Sequence, residues 1–286
     1  MNSSRILRTL GATLSVAALA FTAACGSSAP AEKKASSTES SSKLQTVTAG
    51  KLTIATGNPA YTPWVIDDKP ESGKGFEAAI AYKVAEKMGF KKSDVKWVRT
   101  TFDSAIAPGA KDWDMNIQQF SITPERKKAV DFSPSYYNSA QAVVVRKDSK
   151  FANATTLAEL RKATIGAMVG STSYDFAKKL IKSDIKTFND NAVLAQAVDS
   201  NQIDALVIDV PAASYIVESG QVKNGKVLGQ IPGSDDPNGT GIVLPKGSSL
   251  TPAVTKAMNE LIKDGTIKKL QDKWLAAYTT DVPTLK

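Results

Sequence analysis

The run from Met115 to Arg126 constrains the fold of this chain more than any other stretch. A strand-like apolar series (Met115, Ile117, Phe120, Ile122) leads at once into Thr123-Pro124-Glu125-Arg126. Thr is a good helix N-cap, and Pro fits the first helical position because its missing N–H would have no partner there anyway. A strand that runs straight into a helix N-terminus is the joint of a layered α/β fold. Ser121 then stands where the strand ends and Arg126 in the first turn of the helix. Free backbone N–H groups, a hydroxyl and a guanidinium meet at such a joint, and together they suit a small carboxylate. Arg126 also reads, beside Lys127 and Lys128, as one more exposed helix cation.

The same joint recurs along the chain. Leu52 and Ile54 mark a strand that ends at Thr56-Gly57-Asn58-Pro59, followed by a loop with Tyr61, Pro63 and Trp64. Phe76, Ile80, Val84 and Met88 recur every fourth residue and predict a helix closed by Gly89. Val95, Trp97 and Val98 mark a second strand, Phe102 sits in the loop after it, and a short helix is expected around 104–106. Asp114 to Ile122 reads as the third strand. This alternation predicts a parallel sheet covered by helices. The β-branched run 142–145 reads as a crossing into a second lobe. There Thr155-Thr156 starts a helix, Thr164 to Val169 is a strand entering Gly170-Ser171-Thr172-Ser173, and residues 192–198 are helical. Asp204 to Asp209 is an apolar strand with an acid at its C-terminal end, and Pro211 begins the next helix. Gly241 to Leu244 reads as a return strand, with Thr251 and Thr266 as caps of two closing helices. The expected organisation is lobe 1 from residues 50–142 and 241–286, and lobe 2 from 143–240. Two hinge crossings then border a ligand cleft.

Composition narrows the chemistry. The 286 residues include no histidine and one cysteine, Cys25. A Ser-His-Asp triad, a Cys-His pair and His- or Cys-based zinc sites are excluded. No metal or cofactor is expected. Net charge is +8, carried by scattered pairs such as Lys91-Lys92 and Lys268-Lys269, so no nucleic-acid partner is expected.

Residues 1–24 read as an export signal, with Arg5 and Arg8 before an apolar core from Leu10 to Ala24. The end, Thr22-Ala23-Ala24-Cys25-Gly26, resembles a bacterial lipobox, which implies a lipidated Cys25 that anchors the protein outside the cytoplasm. Thr22 departs from the usual Leu, and plain secretion with a free thiol is the alternative. Residues 25–49, rich in Ser, Thr, Ala and Lys, read as a flexible linker spanning about 25–30 Å.

Element order and several motifs resemble the extracellular solute-binding proteins of amino-acid ABC importers, family 3. The pieces are Gly75-Phe76-Glu77; Phe102-Asp103; Ser121-Ile122-Thr123-Pro124-Glu125-Arg126; Ala129 to Ser133 with Tyr136-Tyr137; Gly170-Ser171-Thr172-Ser173; Asp204 and Asp209; and Gly241-Ile242 through Lys246-Gly247-Ser248 to Trp274. They cover almost all of residues 51–278. Ala78-Ala79 departs from the family, which often places a further acid there. The resemblance implies the two-lobed type II periplasmic-binding-protein fold, an amino-acid ligand, and an ABC permease with its ATPase as partner. A monomer is expected.

By the same resemblance, Arg126 would pair with the ligand α-carboxylate, helped by the N–H groups of Ser121 and Thr172. Asp209 would take the α-ammonium with the Ser121 hydroxyl and the Gln119 carbonyl. Tyr61 and Phe102 would flank the ligand side chain; core packing is their alternative, and helix capping that of Asp209 and of residues 171–173. Some relatives read a charged side chain with an acid after the first strand or a Lys before the Gly-Ser-Thr-Ser turn. Gly57 and Met168 stand at those positions here, which predicts a neutral amino acid, polar or aromatic, with Asn58, Gln118 or Gln119 as side-chain partners. Two other functions fit the same fold: a secreted enzyme resembling cyclohexadienyl dehydratases, and a sensor presenting ligand to a membrane receptor. The first needs a general acid over the substrate, which none of Tyr61, Phe102, Met168 and Thr172 supplies.

Overall fold

The computed structural model describes residues 44–286. The expected signal, lipobox and Cys25, and most of the linker, lie outside the described residues. The linker's end differs from expectation: Leu44 packs against the first core, and Val47 N donates to Asp114 Oδ1 at 2.8 Å. Asp114 Oδ2 accepts from Thr53 N at 2.7 Å, so one carboxylate ties the incoming chain to the first strand.

Strand β1 (Leu52–Gly57) is buried at all six positions, as a strand covered on both faces must be. Helix α1 (Phe76–Lys87), β2 (Val95–Thr100), α2 (Phe102–Ile106), β3 (Met115–Asn116), α3 (Pro124–Ala129) and β4 (Val130–Phe132) follow. The chain then enters a second sheet. Its elements are β5 (Gln141–Arg146), α4 (Leu157–Leu160), β6 (Ile165–Met168), α5 (Thr172–Leu180), β7 (Ile185–Phe188), α6 (Asn191–Asp199), β8 (Ala205–Asp209), α7 (Val210–Glu218) and β9 (Gly225–Gln230). It returns through β10 (Val243–Pro245), α8 (Thr251–Lys263), α9 (Thr266–Trp274) and α10 (Ala276–Thr279). The sheet orders are β2-β1-β3-β10-β4 and β7-β6-β8-β5-β9.

Both sheets are mixed rather than purely parallel. β10 runs antiparallel to β3 and β4, and β5 antiparallel to β8 and β9. The reason is topological: each of these strands enters its sheet from the opposite lobe. The third strand is shorter than its apolar run: it ends at Asn116, and beyond it Gln119 adopts φ 50°, outside the extended region. Two cap expectations change as well. Leu250 holds the N-cap position of α8 with no side-chain cap, and Asp264 rather than Thr266 serves α9, its Oδ1 accepting from Thr266 N at 2.9 Å. The short edge strand β7 and the strand β9 carry no apolar pattern strong enough to have been expected.

The lobes are joined by paired segments. Tyr136 N donates to Thr240 O at 2.9 Å and Thr240 N to Tyr137 O at 2.7 Å, so the segments that cross between the lobes pair antiparallel; the first crosses at Tyr136-Tyr137, ahead of the run 142–145 expected for it, which lies within β5. Gly239, at φ +67°, is required there: a Cβ would lie 2.7 Å from Tyr137 O and 2.0 Å from Ser135 Oγ. A third connection was not expected. α9 packs on lobe 1 through Ile267, whereas Leu285 is buried in the core of lobe 2. Gln230 N donates to Pro283 O at 2.7 Å, and Lys286 exchanges main-chain hydrogen bonds with Leu157 and Thr155 at 2.8 Å. Among the described residues no helix is long and apolar enough to cross a membrane.

Candidate functional site

The cleft is built from strand-to-helix joints that face each other across the hinge. On lobe 1, Thr123 caps α3: its Oγ1 accepts from Arg126 N at 3.2 Å, with Pro124 beside it. This fixes the first turn and turns the Arg126 side chain inward, where it is buried. Arg126 Nη1 donates to Ser121 O at 2.8 Å, and its guanidinium lies 5.2 Å from the Phe102 ring centroid. Phe102 in turn stacks on Phe120 at 4.6 Å. Burial lowers the Arg126 pKa, against which the charges of Asp236, Asp175, Asp209 and Asp103 act. Arg126 is therefore not a solvated helix cation.

On lobe 2, Ser171 caps α5, accepting from Tyr174 N at 3.1 Å and donating to Met168 O at 2.6 Å. Arg126 Nη2 reaches across to Gly170 O at 2.9 Å, and Ser121 Oγ lies 3.0 Å from Thr172 Oγ1. Asp209 occupies the N-cap position of α7 but makes no side-chain cap. Its Oδ1 accepts from Gln141 Nε2 at 2.8 Å, and Gln141 Oε1 accepts from Ser173 Oγ at 2.6 Å. Burial pushes the Asp209 pKa up to about 6; Gln141 and Arg126 pull it down and Asp236 pushes it up.

Seven of the eight expected residues (Tyr61, Phe102, Gln119, Arg126, Met168, Thr172 and Asp209) line one cavity of about 180 Å³. That is below the range of about 300–1,000 Å³ usual for small-molecule sites. Ser121 stands behind the lining and reaches it through Thr172. Tyr61 is not a core residue: its Oη accepts from Ala192 N at 3.2 Å, at the start of α6 on the opposite lobe. Burial and the neighbouring Asp190 push its pKa up to about 12. The loop that carries Tyr61 is pinned by Arg99, which bonds Gly57 O at 2.8 Å and Asp68 Oδ1 at 2.5 Å.

The wall also holds residues not anticipated from sequence: Asn189, Asp190 and Asn191 at the N-terminus of α6, and Thr100 and Thr101 at the end of β2. The signal was present in Asp190, which caps α6 by accepting from Ala192 N and Val193 N at 2.9 Å. It went unread because the preceding strand is so short. Asp190 is a second acid on the cavity wall besides the expected Asp209. Gln118 also lines the cavity, and its Oε1 is buried with no protein partner. Its Nε2 lies against Gly57, 2.9 Å from where a Cβ would stand.

Comparison with known proteins gives a consistent result. A family model described as bacterial extracellular solute-binding proteins, family 3, matches residues 52–277. The chain is 30% identical over 231 residues to the arginine-binding extracellular protein ArtP of Bacillus subtilis, covering 79% of this chain and 87% of that protein. It is 30% identical over 274 residues to the ABC transporter glutamine-binding protein GlnH of the same organism, covering 92% and 95%. Among solved structures, an ancestral arginine-binding protein bound to arginine matches with TM-score 0.65 at 32% identity, covering 79% of this chain and 98% of that one.

Proposed function

The chain belongs to the bacterial extracellular solute-binding proteins, family 3, and on that premise we propose that it captures one amino acid by its zwitterion and delivers it to an ABC permease with its ATPase. One observation carries this reading: Arg126 from lobe 1 and Asp209 from lobe 2 face a single small cavity. A zwitterion needs a cation and an anion a few ångströms apart, and charge-assisted hydrogen bonds contribute about 1.5–3 kcal/mol each. Because the two groups sit on different lobes, the ligand stabilises the closed arrangement over the open one. The Arg126 guanidinium would grip the α-carboxylate with the Thr172 and Ser121 N–H groups, and Asp209 would take the α-ammonium. Tyr61, Phe102 and Met168 would border the side chain.

The ligand in this reading is neutral. Gln118 fills the space beside Gly57, and Met168 is uncharged. The unpartnered Gln118 Oε1 and the amides of Asn58, Asn189 and Asn191 suit a polar side chain. A second reading, a cationic side chain paired with Asp190, is favoured by the position of that acid on the wall. The protein works without catalysis, tethered outside the cytoplasm through lipidated Cys25 as a monomer. Thermal unfolding in the presence of each standard L-amino acid tests the reading. A ligand at 100 times its Kd adds about 2.7 kcal/mol of stability. At least one amino acid should therefore raise Tm by several degrees, and no shift with any of them would overturn it.

A further inference from the structure

Glu77 touches none of the cavity, yet its side chain is fully buried in the first turn of α1. A buried carboxylate is costly unless its oxygens are hydrogen-bonded. Three donors converge on this one. Gln119 N donates to Oε1 at 2.7 Å, Gln119 Nε2 donates to Oε2, and Tyr136 Oη donates to Oε1. All three are uncharged, so the carboxylate is held by hydrogen bonds and not by a counter-ion.

Two of the three donors belong to the same residue, and that residue has an unusual backbone. Gln119 has φ 50°, the left-handed region that side-chain-bearing residues enter only at a steric cost. Glu77 engages both the main chain and the side chain of Gln119, and these bonds act against that cost. Gln119 lies on the cavity wall with Arg126 and Asp209. Tyr136 stands in the first crossing, where its N–H bonds Thr240 O at 2.9 Å. One carboxylate thus joins the cleft floor to the hinge.

We propose that Glu77 is a positioning residue for ligand capture: it holds Gln119 left-handed so that the Gln119 carbonyl meets the α-ammonium of a bound amino acid. This rests on the amino-acid reading of the cleft and extends it to a residue that no ligand touches. The titratable groups facing Glu77 are Tyr136, from the crossing segment, and Asp209, from the opposite lobe. Burial pushes Glu77 up to about 7, its three donors pull it down, and Asp209 pushes it up. Protonation would remove acceptor capacity from the clamp, so capture strengthens as pH rises through that value.

The test is calorimetric titration of the full chain with each of the twenty standard L-amino acids between pH 6.5 and 8. Wild type, Glu77→Gln, Gln119→Gly and the double variant form a cycle. Glu77→Gln should weaken the tightest amino acid about tenfold or more at pH 8 and abolish the change in affinity near pH 7. In the Gln119→Gly background the same substitution should cost under about threefold, because glycine adopts φ 50° unaided. Should Glu77→Gln fail to fold, Tyr136→Phe removes one donor and should move the pH-dependent loss to higher pH. Equal losses in the two backgrounds would make Glu77 merely structural and overturn the proposal. So would a Tyr136→Phe curve that superimposes on wild type. No heat from wild type with any of the twenty would instead overturn the amino-acid reading, and this proposal with it.

Discussion

Arg126 Nη2 and Gly170 O are 2.9 Å apart, although they belong to different lobes. The guanidinium that would hold a ligand carboxylate is therefore already in contact with the opposite wall. Its Nη1 is committed to Ser121 O, and the group lies 5.2 Å from the Phe102 ring centroid. Arg126→Ala is expected to weaken amino-acid binding by about 3–5 kcal/mol, as loss of one partner of a buried pair does. Arg126→Lys should recover only part of this, since lysine lacks the planar fork. Calorimetric Kd values check both; a loss below about tenfold in the alanine variant would remove Arg126 from the clamp.

Asp209 gives the site a pH dependence with a definite sign. Its pKa in the empty cleft is about 6, raised first by burial. An α-ammonium bound beside it favours the ionised form, so the pKa falls on binding. The contribution of Asp209 to affinity is then fully developed above about pH 6 and is lost as pH falls through that value. At pH 5 the Kd should be weaker by about tenfold from this group alone. Asp209→Asn should bind far more weakly at neutral pH and lose this acid dependence.

Gly57 and Asp190 both line the cavity, and substitutions there test the proposed neutral ligand. A Cβ at position 57 would lie 2.8 Å from Pro59 O and 2.9 Å from Gln118 Nε2. Gly57→Ala should therefore cost about 1–3 kcal/mol of stability. Asp190→Asn retains the cap of α6 and removes the charge. A neutral ligand should lose less than about threefold in affinity. A loss of a hundredfold or more would establish a cationic side chain paired with Asp190.

The third connection between the lobes is testable through Leu285, which is buried in the lobe 2 core close to the C-terminus. Leu285→Ala should destabilise the protein by about 2–5 kcal/mol, measured by denaturant unfolding.

Much of this site was legible in sequence for a local reason. Thr123-Pro124 and Ser171 are caps, and caps are read from neighbouring residues alone. Those caps placed Ser121, Arg126 and Thr172 at strand-to-helix joints, the apolar run before Asp209 placed that acid at a strand end, and the family resemblance implied their roles toward a ligand. What stayed hidden depends on contacts distant along the chain. Glu77 meets Gln119 across 42 residues, and Gln141 meets Asp209 across 68. Tyr61 reaches Ala192 across 131. The antiparallel entry of β5 and β10 has no local signature either, since their alternation is the same in either direction. The C-terminal tail reads as lobe 1 in the sequence, and only its distant contacts, the burial of Leu285 and the main-chain bonds of Pro283 and Lys286, show that lobe 2 holds it.

The central claim is that one cleft grips both ends of a zwitterion. The most direct measurement is calorimetric titration of wild type with its tightest standard L-amino acid, then with the α-carboxamide and the N-acetyl derivative of that same compound. The expected result is a Kd in the micromolar range or tighter for the free amino acid and a loss of at least about a hundredfold for each blocked form. Equal affinity for the free and blocked compounds, or no binding by any standard amino acid, would contradict the account.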